Sequence, residues 1–148
     1  SYKNFDLSMF WQGVADQDIY NNQKFQTDFW SITDAGSNKG NRMLNAWTSD
    51  NTDSSIPALT TNNTADEGRV STYYVENGSY LKLRTLQLGY NVPEKFISKL
   101  KMSSLRAYIS GQNLLTLKSS SLTCSDPENP SWAYPLATSI SFGLQVGF

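Results

Sequence analysis

The sequence contains no histidine and a single cysteine, Cys124. The first absence excludes a His-based triad, a His metal site and imidazole acid–base chemistry. The second excludes an internal disulfide and leaves the redox compartment unreadable. Long apolar runs are also missing. Mean hydropathy is -0.46, and no stretch approaches the ~20 residues of a membrane-crossing helix. A helical membrane protein is excluded. A barrel is not, because alternating strands hide from averaged hydropathy. Charge is scarce at 17%, below the ~25% of an ordinary soluble domain. No secretory leader opens the chain. Residue 1 runs directly into a strand pattern, so the chain is expected to be the end of something larger.

What is present begins at the other end. From Pro135 to Phe148, residues Leu136, Thr138, Ile140, Phe142, Leu144, Val146 and Phe148 share one face, and Ala137, Ser139, Ser141, Gly143, Gln145 and Gly147 the other. Period two without a slip predicts a strand. Its length suits a tilted bilayer crossing of roughly 9–11 residues. A soluble antiparallel sheet also alternates, so that reading stays open at this point. Residues 2–13 alternate likewise, with Phe5, Leu7, Met9 and Trp11 against Asn4, Asp6, Ser8 and Gln12, and Phe10 out of pattern. Residues 104–117 set Leu105, Ala107 and Ile109 against Arg106, Tyr108, Ser110 and Gln112. Residues 79–91 carry two phases, Leu81 and Leu83 and then Leu86, Leu88 and Tyr90. A β-bulge near Arg84-Thr85, or one end of the strand leaving the membrane there, would account for the change.

Between these strands lie a long polar stretch, 14–78, a short connection, 92–103, and a medium loop, 118–134. Pro93 marks the start of about two helical turns in the connection, with Phe96, Ile97 and Leu100 on its apolar side. Helical turns are also expected at Phe25–Trp30 and Arg42–Trp47. Long, short, long is the loop asymmetry of an outer-membrane barrel. With Phe148 in the periplasm, both longer loops fall outside the cell and 92–103 is a periplasmic turn. Residues 14–78 hold nine carboxylates against four basic side chains, and residues 79–106 six basic side chains against one carboxylate. These are two chemical environments rather than a nucleic-acid patch.

Candidate site residues follow from chemistry. Trp30, Trp47 and Trp132 are large aromatics in polar loops. They either anchor a small loop core or offer stacking surfaces to a sugar or peptide. Lys82, Arg84 and Arg106 either line a barrel lumen or its rim, or snorkel at an interface. Asp50 and Asp53 are weak metal candidates, because the D-x-D-x-D-G spacing of a calcium loop is missing. A solvated turn cluster explains them better. Asn62-Asn63-Thr64 and Asn77-Gly78-Ser79 match a glycan-acceptor pattern but read as loop and turn composition. No cofactor is implied.

Two segments carry a resemblance. Asn77 through Tyr90 (Asn-Gly-Ser-Tyr-Leu-Lys-Leu-Arg-Thr-Leu-Gln-Leu-Gly-Tyr) resembles the NGSYLRLKNLQLGY segment near the end of SusC/RagA-type TonB-dependent outer-membrane transporters. Leu105 through Thr116 is similar to that family's LRLYVSGQNLFT. Further pieces fit in order: Phe5-Asp6-Leu7-Ser8 with Gln12-Gly13, Ala46-Trp47-Thr48 with Asn51-Thr52 and Ile56-Pro57, and Ser141-Phe142-Gly143-Leu144. Thr85 replaces the usual Asn, and Ala58 the usual Arg. The resemblance implies an all-β fold in which this chain supplies the last four or so antiparallel strands of a ~22-strand transmembrane β-barrel, with one long and one medium extracellular loop. The N-terminal plug and TonB box are absent from it. The resemblance also implies residence in the outer membrane of a Gram-negative bacterium, contact with its lipid, a SusD-like surface lipoprotein as partner, TonB acting through the plug, and import of glycans or peptides without covalent chemistry.

The competing reading is a soluble β-rich carbohydrate-binding module using the loop tryptophans. A hydrolase would want paired carboxylates. Asp126 and Glu128 are candidates, but they sit in a Pro-rich loop without scaffold. An open four-strand sheet leaves two edges unpaired, so the fragment expressed alone should be insoluble or need detergent.

Overall fold

A computed structural model describes residues 1–29, 38–60, 66, 68–100, 102–131 and 134–148. The elements in chain order are β1 (Phe5–Val14), β2 (Asp18–Tyr20), α1 (Asn22–Asp28), 3-10 turns at Asn41–Asn45 and Thr72–Tyr74, β3 (Val75–Asn77), β4 (Tyr80–Asn91), α2 (Glu94–Ile97) with a 3-10 turn at Ser98–Leu100, β5 (Ser104–Lys118) and β6 (Ser139–Gly147). They form two compact units, one of residues 1–15, 79–118 and 135–148, the other of residues 16–78 and 119–134. Among the described residues no helix is long and apolar enough to cross a membrane.

The first unit is an antiparallel sheet in the order β1-β4-β5-β6. Its register sets Leu7 opposite Leu88, Leu88 opposite Ile109, and Ile109 opposite Phe142. One row back, Asp6 faces Gly89, Gly89 faces Tyr108, and Tyr108 faces Gly143. Residues directly opposite share a face. Apart from Phe10, Val14 and Tyr108, the apolar side chains of all four strands therefore line up on one side and the small and polar ones on the other. The apolar side is open: Phe142 is 80% exposed, Leu144 73% and Leu7 57%. A shallow groove of about 250 Å³ runs over Gly111 on this side, lined by Leu7, Leu86, Leu88, Ile109, Leu114 and Ile140.

The two phases of β4 do not occupy two faces. The register slips between Leu83 and Thr85 against both neighbours: against β1 the extra residue is Arg84, and against β5 it lies on β5, where Asn113 and Leu114 stand opposite Arg84. β1 has no inserted residue, so Trp11 and Gly13 stay on the side of Met9. Their partners Leu83 and Leu81 are thereby returned to the side of Leu86 and Leu88, as a bulge does. On β5 the matching irregularity is Asn113, at φ 52°, the left-handed region that Asn tolerates better than most residues.

Strand ends differ from the periodicity. β1 starts at Phe5 because Tyr2 and Phe5 close a tight turn through reciprocal backbone hydrogen bonds of 2.9 and 3.0 Å, with Lys3 at φ 50°. β6 starts at Ser139 because its ladder to β5 ends at Gln112, just before Asn113. Side chains continue the link: Asn113 Nδ2 donates to the Ala137 carbonyl (3.1 Å) and Thr138 Oγ1 to the Asn113 carbonyl (2.9 Å). In the 92–103 connection, Pro93 sits at the cap rather than inside the helix, and α2 is a single turn. Ile97 is buried there, while Phe96 is 59% exposed.

The second unit is folded, not open coil. β2 and β3 pair antiparallel, Ile19 opposite Glu76. Asn21 caps α1 by accepting the Lys24 backbone N–H at 3.0 Å. One core gathers Phe29, Met43, Ala46 and Tyr74, with Tyr20, Phe25, Ile56 and Tyr73 packed on it. A second joins Ile19, Leu122 and Cys124.

Candidate functional site

Two groups of polar side chains stand out, and each lies within one unit. On the polar side of the sheet, Arg106 Nη2 lies 2.6 Å from Asp6 Oδ2 and Arg106 Nε 3.1 Å from Asp6 Oδ1. This forked geometry is the strong form of a guanidinium–carboxylate pair. It spans from β5 to β1 over β4, and the residue beneath is Gly89. A Cβ there would stand 2.5 Å from both Arg106 Nη2 and Asp6 Oδ1. Tyr108 lies in the same way over Gly143, where any Cβ would collide with its ring. Toward the bulge, Arg84 Nε donates to Gln12 Oε1 at 3.0 Å. Lys82 is buried and pairs in register with Gln12 and Thr116. Lys82 and Arg106 therefore share the polar side of the sheet, and Arg84 is the bulge residue that reaches Gln12.

The second group centres on Thr123. Its hydroxyl donates to Glu76 Oε1 (2.9 Å) and accepts from Asn21 Nδ2 (2.9 Å) and Arg42 Nη1 (2.7 Å). One donor and two lone pairs are all a hydroxyl has, so this one is saturated. Glu76 also accepts the Thr123 backbone N–H (2.9 Å) and Asn21 Nδ2 (2.8 Å), with Lys24 Nζ at 3.4 Å. Burial pushes the Glu76 carboxyl up, but the hydrogen bonds from Thr123 and Asn21 and the nearby Lys24 outweigh it and hold the group below its usual range. Beside it the buried Asp28 carboxylate takes Arg42 Nε (3.1 Å) and the Tyr73 hydroxyl (2.9 Å). Burial first, and then the bond to Asp28, drive the Tyr73 phenol above its ordinary range. Lys24 Nζ stands 4.0 Å from the Tyr73 ring centroid and donates to its carbonyl.

None of this carries nucleophile–base geometry. Its consistent feature is satisfied charge that ties distant segments together. Asp50 and Asp53 lie exposed in the turn after Trp47. That turn is organised by Asn51 Nδ2 and Ser54 Oγ donating to the Asn45 carbonyl, at 3.1 and 2.5 Å. Among the described residues no group of three metal-ligating side chains occurs. Trp47 is 44% exposed and is not one of the buried residues of the loop core. Trp30, Trp132 and Asn62-Asn63-Thr64 lie outside the described residues. Periodicity had no means of finding Asn21, Glu76 and Thr123, because their partners lie 47 to 102 positions away. The one local hint is Glu76 between Val75 and Asn77, a carboxylate in a short extended run.

No protein-family profile matches the chain. TonB-dependent receptor P3 of Formosa agariphila is 37% identical over 118 residues, 78% of this chain and 11% of that protein. TonB-dependent receptor P26 of the same organism is 28% identical over an alignment of 166 positions, covering this whole chain and 16% of the receptor. Among solved structures, the RagAB peptide transporter superposes with a TM-score of 0.76 at 25% identity. The RagAB peptide importer in its open-open state does so with 0.78 at 26%. Each covers all of this chain and 16% of the solved chain. The chain thus spans 11 to 16% of the length of the relatives it matches.

Proposed function

Because this chain belongs to the TonB-dependent receptors, as a segment of a SusC/RagA-like transporter, we propose that it forms the last four strands of a ~22-strand barrel in the outer membrane of a Gram-negative bacterium. The whole protein imports oligosaccharides or peptides. In this reading β1 and β5 run outward and β4 and β6 inward. The loops 14–78 and 118–134 face the medium, and 92–103 turns in the periplasm. A SusD-like lipoprotein meets the outer loops, and TonB acts through a plug carried elsewhere. The protein performs no covalent chemistry on its cargo.

The observation that carries the reading is the two-sided sheet. Its apolar side continues across four strands and through a bulge, and it is open. Lipid can cover such a surface; water cannot do so without cost. The polar side, with Asp6, Arg106, Lys82, Ser110, Gln112 and Ser141, suits a hydrated lumen. A soluble carbohydrate-binding module would have to hide Leu7, Phe142 and Leu144.

The test is uptake. A strain lacking the full-length transporter is given labelled oligosaccharides and oligopeptides, and the transporter is pulled down from outer-membrane vesicles of the parent strain. Loss of uptake of one class, with a surface lipoprotein co-purifying, supports the proposal. Unchanged uptake of both classes and recovery of the protein from the soluble fraction would overturn it.

A further inference from the structure

The loop after β5 has little ladder of its own. Among its described residues the internal backbone bonds are single turns, Leu122 to Ser119 at 3.1 Å and Asn129 to Asp126 at 3.2 Å. The first loop supplies what holds it. Gln23 grips it at two points: its Oε1 accepts the Ser125 backbone N–H (2.9 Å), its Nε2 donates to Ser125 Oγ (3.0 Å) and the Ser131 carbonyl (3.1 Å), and its backbone N–H donates to the Pro130 carbonyl (3.1 Å). Between these grips Thr123 sits in its saturated junction of Glu76, Asn21 and Arg42. Leu122 and Cys124 bury against Ile19. Three stretches of the first loop, at 19–23, at Arg42 and at Glu76, thus hold one short strap.

We infer that the strap, 119–131, and the first-loop stretches that hold it, at 19–28, at Arg42 and at 73–76, act as one rigid body, and that the Glu76–Thr123 junction is a permanent fastening rather than a gate. Peeling the strap away would break all of these bonds together and expose Leu122 and Cys124. A segment whose bonds must all break at once opens as one cooperative unit. The consequence for transport rests on the importer reading: no step of the import cycle separates the strap from these stretches.

Two measurements on the full-length transporter test this. In the first, Glu76→Gln places an amide N–H₂ where only acceptors fit. Hydrogen exchange of amides in 19–29 and in 122–131 should then rise together, by about tenfold. A rise confined to 122–131 would overturn the inference. In the second, Gln23→Cys and Ser125→Cys are joined by a short, reductively cleavable bis-maleimide. Uptake should stay within about twofold of the unlinked protein, since a fixed fastening loses no needed motion. A loss that cleavage of the linker restores would overturn the inference. Absence of uptake in the wild type as well would count against the importer reading alone, and the exchange result would still decide whether the strap and these stretches form one body.

Discussion

Asp6 and Arg106 lie 100 residues apart in the chain and meet at 2.6 Å over the bare backbone of Gly89. The contact links β1 to β5 across β4, whose Asn91 Nδ2 also reaches Asp6 Oδ1 at 3.5 Å. It exists because the strand between them offers a hydrogen where any other residue offers a Cβ. Replacing Gly89 by Val forces that carbon into the pair. Overpacking of this kind costs about 1–3 kcal/mol. The full-length barrel is expected to convert to its unfolded gel mobility at a lower temperature. An unchanged conversion temperature would show that the pair moves aside freely.

Deleting Arg84 removes the bulge. Thr85 and Leu83 then become neighbours opposite Phe10 and Trp11, so plain alternation against β1 keeps Leu83 and Leu81 on the apolar side and Lys82 on the polar side. Barrel assembly, followed as the folded fraction on unheated gels, should therefore survive the deletion, as it should survive Arg84→Ala, which loses the bonds to Gln12 and Asn113; a sharp fall confined to the deletion would show that the bulge itself is needed.

Thr123→Val keeps the shape of the side chain and removes all three of its hydroxyl bonds. Leaving Asn21 and Arg42 donors and the Glu76 carboxylate short of a partner is expected to cost the loop unit about 1–3 kcal/mol. Limited proteolysis should cut between 119 and 131 faster in the variant. Equal rates would contradict the junction's role.

The loop unit should also be acid-sensitive in one direction. Glu76 is held below its ordinary value of 4.5. A carboxyl depressed in the fold contributes its full stability above the unfolded value and loses it as pH falls through the folded one. Loop protection should therefore be flat from neutrality down to about 4.5 and decline below it. In Glu76→Gln the decline due to this group should vanish. A loss of protection centred near neutral pH would contradict the assignment.

The sheet was legible in the sequence because its signal is local. Phe142 next to Gly143 and Ile109 next to Ser110 already separate the two faces, and the phase change beside Arg84 already marks the bulge. The bulge's effect was not legible. Strict alternation assigns Leu83 and Leu86 to opposite sides, and only the pairing with β1 shows that they share one. Strand ends shifted by a few residues where the cause is a backbone angle, at Lys3 and Asn113, that composition does not encode. Least legible was the loop unit. Thr123, Glu76 and Asn21 look like unremarkable loop residues until the fold brings them together, and the aromatic residues that fill its core include Phe29 and Tyr74 rather than Trp47.

The most direct test of the membrane-spanning account places nitroxide labels on adjacent residues of the full-length protein in bilayers. Ile109 and Leu144 report the apolar side, and Ser110 and Ser141 the polar side. The account predicts strong collision with oxygen and weak collision with a water-soluble nickel complex at the first two, and the reverse at the second two. Equal access of the nickel complex to all four positions would contradict it and would mean that the apolar side of the sheet does not face lipid.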